Sequence, residues 1–211
     1  MGILNVTPNS FSDGGEYFNK KEAVSHAMQM IKDGANYIDI GGESTRPGAE
    51  PITIEEEINR TIPIVKEINK NSPKTKISID TTKYEVAQRA LNSGATMIND
   101  ISGLKSEPRF VDLASEYGAE LVVMHIQGTP KNMQINPQYS DVVNEVYHFL
   151  KNQAELAKKI SNVYVDVGIG FGKTLEHNIT LLNNLEKFNN ITGKQLLGIS
   201  RKSFFKMLLG I

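Results

Sequence analysis

The chain contains no cysteine, which excludes a disulfide framework and thiolate-held metal and fits a reducing compartment. No apolar run approaches the roughly 18 residues that a bilayer-crossing helix needs. The opening residues, M-G-I-L-N-V-T-P, lack the charged start and extended apolar stretch of a secretory signal. Gly2 fits the first position of an N-myristoylation pattern, but Ile3 and Leu4 read as strand. An excess of one charge is missing too: 23 Lys and Arg against 24 Asp and Glu give a net charge of −1. No basic surface therefore argues for nucleic acid or an anionic membrane. Together these absences point to a soluble, cytoplasmic protein. What is present is 39% hydrophobic content over 211 residues, enough to fill a sizeable core.

The most informative stretch is V-Y-V-D-V-G-I-G-F-G-K-T, Val163 to Thr174. Its first half reads as a buried strand ending at Asp166. Its second half is a loop whose glycines suit very close backbone approach. Two familiar glycine patterns fail on spacing. A P-loop would need glycine where Val167 stands, and a dinucleotide-binding turn would need it where Lys173 stands. A carboxylate at the C-terminal end of a buried strand, beside a glycine-rich loop, is nevertheless where α/β proteins place ligands. The bland alternative is a tight strand-to-helix turn.

The same unit recurs along the chain. A short apolar run ends at Asn5, and V-T-P-N-S-F-S-D-G-G follows as irregular loop, with Pro8 and the Gly14-Gly15 pair excluding regular structure. A helix is expected from about Lys20, with Ala23, Ala27, Met30 and Ile31 on one face and Gly34 closing it. Y-I-D-I carries Asp39 into a loop containing Thr45, Arg46 and Pro47. Thr53 with Glu56 three residues on predicts a capped helix to about Asn69, with Glu55, Glu56 and Glu57 as a solvated first turn. Further strands end at Asp80, at Asn99-Asp100, at Met124-His125 and at Asp166, and a seventh lies in Q-L-L-G-I-S-R-K-S-F. Helices are expected near Val86–Leu91, Phe110–Tyr117, Ser140–Lys159 and Asn178–Phe188.

Alternating strands and helices imply parallel βαβ units. An open doubly wound sheet focuses function at one switch point, whereas a barrel gathers every strand end on one face. Because nearly every strand here ends in a polar side chain, the expected fold is a (β/α)8 TIM barrel in a single domain, residues 1–211. Only seven strands are counted, so the barrel is expected to be truncated before its eighth strand.

On that face the strand ends offer Asn5, Asp39, Asp80, Asn99, His125, Asp166 and Ser200, with Arg46, Lys173, Arg201 and Lys202 on adjoining loops. Carboxylates and amides without a histidine cluster suit a nitrogen-rich heterocycle better than a transition metal. A carboxylate accepts two parallel N–H bonds from an amidine-like edge, which makes Asp166 the first candidate, with Asn99 offering both a donor and an acceptor. The basic loops suit a phosphate or carboxylate, and Mg²⁺ would bind mainly through oxygen and substrate phosphates. Asp39 has the alternative of bonding only loop backbone. His125 lacks zinc-like spacing and reads as a structural histidine.

These motifs, M-G-I-L-N-V-T-P-N-S-F-S-D-G-G, D-I-G-G-E-S-T-R-P-G, I-S-I-D-T, I-N-D-I, V-M-H, D-V-G-I-G-F-G-K and G-I-S-R-K-S-F, resemble in content and order those of the dihydropteroate synthase family. The resemblance covers essentially the whole chain. It implies a pterin-binding (β/α)8 enzyme that joins 6-hydroxymethyl-7,8-dihydropterin diphosphate to p-aminobenzoate, releasing pyrophosphate with Mg²⁺ assistance and without a covalent enzyme intermediate. By that resemblance Asp80, Asn99, Met124, Asp166, Gly198 and Lys202 would hold or line the pterin site. Asn5 would serve the Mg²⁺–diphosphate site. Asp13 in the first loop, with Thr45, Arg46 and Pro47 in the second, would close over the reacting centre. Phe171, Pro47 and Ser203 would form the p-aminobenzoate slot, where sulfonamides compete. Asp80, Lys202, Asp13 and Arg46 would carry the catalysis, and the family implies a homodimer.

Three departures from the family pattern stand out. Asn9 replaces an aspartate, Val167 replaces a proline, and the last-strand arginine–histidine motif that binds anions is absent. Two alternatives remain at this point: a non-catalytic pterin-binding fragment, and a methyltetrahydrofolate-dependent methyltransferase.

Overall fold

The computed structural model describes residues 1–7, 15–46, 48–200 and 202, with only the backbone of residues 15–19. Strands and helices alternate: β1 (Gly2–Asn5), α1 (Gly15–Lys32), β2 (Tyr37–Gly41), α2 (Ile54–Asn71), β3 (Lys76–Asp80), α3 (Tyr84–Asn92), β4 (Met97–Asp100), α4 (Phe110–Tyr117), β5 (Glu120–Met124), α5 (Val142–Leu156), β6 (Val163–Asp166), α6 (Leu175–Asn183) and α7 (Leu185–Thr192). The six strands form one parallel sheet in sequential order, β1 to β6. A doubly wound sheet would reverse its order at a switch point; this one never does. The expected seventh strand is present as a single parallel bridge from Gln195 to Val165.

Contacts across non-adjacent strands show that the sheet curls into a barrel. Tyr37 on β2 reaches Glu120 on β5, with its hydroxyl 2.8 Å from Oε2, and lies 3.4 Å from the Tyr164 hydroxyl of β6. Asn99 of β4 donates to Asp39 of β2 across the intervening strand. Alternation along each strand then divides the side chains between two environments. Leu4, Ile38, Ile40, Ile77, Ile79, Ile98, Leu121, Val123 and Val165 join the helices in one apolar core. Their alternate neighbours line the interior: Tyr37, Lys76, Glu120 and Tyr164 at the N-terminal end, and Asp80, Asn99, Met124 and Asp166 at the C-terminal end.

Local chemistry explains most boundaries. Thr53 Oγ1 accepts from Glu56 N, as the capping pattern predicts, but the Glu56 carboxylate turns to Arg60 rather than back to the cap. Helix α1 begins at Gly15, before the expected Lys20. First-turn amides have no intrahelical acceptor, so glycine there is cheaply accommodated. The single helix expected over 178–188 is two, because the chain bends at Asn184 (φ −119°, ψ 18°), whose Nδ2 bonds Thr180 O at 2.8 Å. The solvated first turn of α2 also needs correcting: Glu55 and Glu56 are exposed, but Glu57 is buried.

Candidate functional site

Parallel register sets the site. Asn5, Gly41, Asp80 and Asn99 are consecutive Cα partners across β1 to β4, and Met124 pairs with Asp166 across β5 and β6. Gly41 leaves the space between its neighbours open: a Cβ there would lie 3.4 Å from Asp80 Oδ2 and 3.5 Å from Asn5 Oδ1. Gly198 does the same beside β6, its Cβ position falling 3.9 Å from Asp166 Oδ2. Asn5, Asp80, Asn99, Met124, Asp166, Gly198 and Lys202 thus gather at the C-terminal face, as the sequence predicts.

The carboxylates there are crowded and poorly paired. Asp80 has no hydrogen-bond partner among the described residues. Its carboxyl is held well above the usual range by burial and by the neighbouring charges of Asp39, Glu57, Asp100 and Glu43. Asp166 is pushed up to about 6, chiefly by burial; the Gly168 N–H at 2.7 Å and the charges of Lys202 and Lys173 limit the rise. It is therefore mostly ionised at neutral pH, and among the described residues its Oδ2 accepts no hydrogen bond. Asp39 is raised by burial as well, and its Oδ2 takes one Asn99 amide hydrogen at 3.1 Å. Its role is to fix the Asn99 amide, not to bond loop backbone. Asp100, by contrast, is structural: its two oxygens accept from Ser102 N and Leu104 N at 2.8 and 2.6 Å.

Lys202 lies with its Nζ 4.0 Å from the centroid of Phe171. Burial lowers its pKa, opposed by Asp166 and Asp80. Phe171 and Met124 belong to a small apolar cluster with Ile101, Ile126 and Met133, separate from the main core. The loop after β6 is rigidly built. Gly168 adopts φ 68°, and a side chain there would drive a Cβ to 1.9 Å from His125 O. Gly172 (φ 64°) is as constrained, with Gln127 O 2.5 Å from its Cβ position. The loop ends in a complete capping box, in which Thr174 Oγ1 accepts from His177 N and His177 Nδ1 accepts from Thr174 N.

Lys173 was a candidate for holding an anion, and the structure overturns this. It is 3% exposed and its Nζ faces protein acceptors, among them His125 Nδ1 at 3.0 Å. Burial lowers it to about 7, helped by the charges of Lys105 and Lys202 against that of Asp166. His125 falls to about 2 through burial and the charges of Lys173 and Lys105, so it stays neutral with Nδ1 as the acceptor. It is the structural histidine that its spacing suggested.

The loop after β2 carries Thr45 and Arg46, the latter exposed. Sequence reasoning missed the clamp at its base. Lys83, after β3, bonds both Glu43 (2.5 Å) and buried Glu57. Glu43 Oε2 also accepts from Ile52 N at 3.0 Å, and Arg60 Nη1 donates to Gly42 O at 2.9 Å. These partners lie 9 to 40 residues from Glu43 or Gly42 in sequence, beyond the reach of any local motif. Further out, Gly48 N donates to Pro130 O at 3.3 Å and Lys131 pairs with Glu50 at 2.9 Å, so the loop meets the one after β5. Asp13, Pro47 and Ser203 lie outside the described residues.

Among the described residues no three His, Cys, Asp or Glu side chains cluster in a way that could hold a metal. No described helix is long and apolar enough to cross a membrane.

Known proteins share this arrangement. The family profile described as pterin binding enzyme matches residues 1–210. The dihydropteroate synthase of Synechocystis is 46% identical over 213 residues, covering 99% of this chain and 73% of the relative. Among solved structures, dihydropteroate synthase from Yersinia pestis in a sulfonamide drug complex superposes with a TM-score of 0.90 at 41% identity, covering all of this chain and 78% of that one. The Xanthomonas albilineans enzyme with 4-aminobenzoic acid gives 0.90 at 39%, covering all of this chain and 76% of that one. With a matching profile, a shared barrel and this level of identity, the chain belongs to the pterin binding enzyme family, among the dihydropteroate synthases.

Proposed function

We propose that this chain condenses 6-hydroxymethyl-7,8-dihydropterin diphosphate with p-aminobenzoate, giving 7,8-dihydropteroate and pyrophosphate in folate biosynthesis. The observation that carries the reading is the convergence of underpaired Asp80 and Asp166 with Asn99 and Lys202 on one face of the barrel. Asp166, ionised at neutral pH, accepts paired N–H groups from the pterin's amidine-like edge. Asn99, fixed by Asp39, has its remaining amide valences for the ring. Met124 and Gly198 line the pocket, and Lys202 closes it beside Phe171.

The step is dissociative. The C–O bond to diphosphate breaks and the electron pair leaves with that group, while the dihydropterin ring donates electrons to its exocyclic methylene. Asp80 stabilises the positive charge that develops. The arylamine nitrogen then forms the C–N bond and loses a proton. Because the aniline is a modest nucleophile, positioning contributes much of the acceleration. By the family resemblance, Asp13, Thr45, Arg46 and Pro47 would close over the centre, and Phe171, Pro47 and Ser203 would form the arylamine slot.

Mg²⁺ fits as a cation that arrives with the diphosphate. Asn5 Oδ1 and Asp80 Oδ2 flank the open position at Gly41, and both are oxygen donors. Asn5 would hold the ion, which when bound neutralises charge on the departing group.

The relatives named above are dihydropteroate synthases, which favours this reading over a methyltransferase or a non-catalytic pterin binder. The same reading carries the expectation of a cytoplasmic homodimer, which light scattering on the purified protein tests for oligomeric state. An assay with the diphosphate substrate, Mg²⁺ and p-aminobenzoate tests the chemistry: equimolar dihydropteroate and pyrophosphate are expected, and pterin binding without either product would refute it.

A further inference from the structure

Lys173 presents a buried amino group that the reaction above does not use. In its ammonium form it has three N–H donors, and Lys173 Nζ has three acceptors around it: His125 Nδ1 at 3.0 Å, Phe171 O at 3.0 Å and His125 O at 3.3 Å. Two belong to the end of the β5 strand and one to the glycine loop after β6. The side chain therefore ties that loop to the neighbouring strand end. It passes close beneath the loop, since a Cβ on Gly168 would lie 3.3 Å from Nζ.

Other loop carbonyls have donors of their own. Gly168 O accepts from Phe171 N at 3.0 Å, Gly170 O from Gln134 Nε2 at 2.7 Å and Gly172 O from Tyr139 Oη at 2.9 Å. Phe171 O has Lys173 as its donor among the described residues. An unmet buried carbonyl is costly, so the backbone at Phe171 is fixed where Lys173 holds it. Phe171 is 9% exposed, and its ring packs in the cluster containing Met124 and carries Lys202 on its face. Any displacement of this backbone moves that ring, but Met124 and Asp166 are independently fixed by strand register.

We propose that Lys173 is a positioning residue for the second substrate, holding the Phe171 carbonyl so that the ring stays in place as a wall of the arylamine slot. The inference rests on the functional reading above. Lys173→Met keeps the unbranched apolar stem and removes the donors; Lys173→Gln keeps N–H donors.

Steady-state kinetics with each substrate varied in turn provide the test, on protein whose fold is checked by circular dichroism. Lys173→Met is expected to raise the arylamine KM about tenfold, the scale of one aromatic contact, with kcat and the pterin KM within about threefold of wild type. Lys173→Gln is expected to fall between, and carries the same split if the methionine variant does not fold. An unchanged arylamine KM, or equal rises in both KM values, overturns the inference while wild-type turnover leaves the functional reading standing. A wild-type chain that forms no dihydropteroate overturns that reading and this inference with it.

Discussion

The two ends of the barrel interior are built from the same strands and obey opposite electrostatic rules. At the N-terminal end Tyr37, Lys76 and Glu120 satisfy one another at 2.8 to 2.9 Å. Tyr164 adjoins them, and Lys194 lies over its ring. Burial and the Glu120 and Tyr164 partners push the Tyr37 hydroxyl up to about 12, and Lys76 is raised by its bonds to Tyr37 and Glu120. Lys76 and Glu120 there each have a protein partner. At the C-terminal end, among the described residues, Asp80 has no hydrogen-bond partner and Asp166 Oδ2 accepts no hydrogen bond. Like charges held close together oppose folding, and they persist where a ligand supplies what the protein withholds. The closed end stabilises; the open end is where the proposed function places binding.

The largest effect that sharpens this contrast is at the open end. Asp166→Asn or Asp80→Asn should cut kcat/KM by about 10³-fold, on the scale of removing one preorganised charge from an active site. Neither should lower the thermal midpoint, because each removes a carboxyl that the fold holds at a cost. A variant that loses stability in step with activity would erase the distinction between the ends.

Lys83→Met tests the exception, the paired cation within the open end. It strands Glu57 without the one cation it pairs with among the described residues, and unfolding free energy should drop by about 3 kcal/mol, as for other broken buried pairs. Adding Glu57→Gln should recover part of that loss, measured by denaturant unfolding. No recovery would show that Lys83 matters for something other than the pairing.

At the closed end, Glu120→Ala leaves the Tyr37 hydroxyl and Lys76 without their shared acceptor. A loss of about 2 kcal/mol is expected, within the range for charged hydrogen bonds, with kcat/KM within twofold of wild type. A fall in turnover at unchanged stability would break the division of labour.

The smallest effect is pH dependence. Asp166 titrates near 6 in the folded chain, above the ordinary carboxyl value. Between the two values the folded state binds the extra proton, so this group's contribution to stability falls as pH rises from about 4 to 6. Pterin affinity should run the other way, weakening about tenfold per pH unit below 6 as the carboxylate protonates. Calorimetric titration of wild type against Asp166→Asn should show the inflection only in the wild type.

Much of this was legible in one dimension. The strand ends Asn5, Asp80, Asn99, Met124 and Asp166 are each marked by an apolar run that stops at a polar or sulfur-bearing side chain, and parallel register carries all of them to one face. Helix α4 matches its expected bounds because Gly118 closes it in the left-handed conformation, φ 61°. What was not legible depends on distance along the chain. The Glu57 carboxylate looks like part of an acidic first turn until Lys83, 26 residues away, is folded against it. Lys173 reads as a surface cation beside a loop until His125, 48 residues earlier, is found beneath it.

By itself, then, the sequence determined the alternation of strands and helices, the polar residues at the strand ends and the resemblance that carries the chemistry. Those are consequences of local periodicity and of short motifs. Tertiary structure alone decided which charges would be paired. Tyr37, Lys76 and Glu120 are separated by 39 to 83 residues and close one end only because the sheet curls. At the other end the same fold brings Asp39, Glu43, Glu57 and Asp100 near Asp80, which has no hydrogen-bond partner among the described residues.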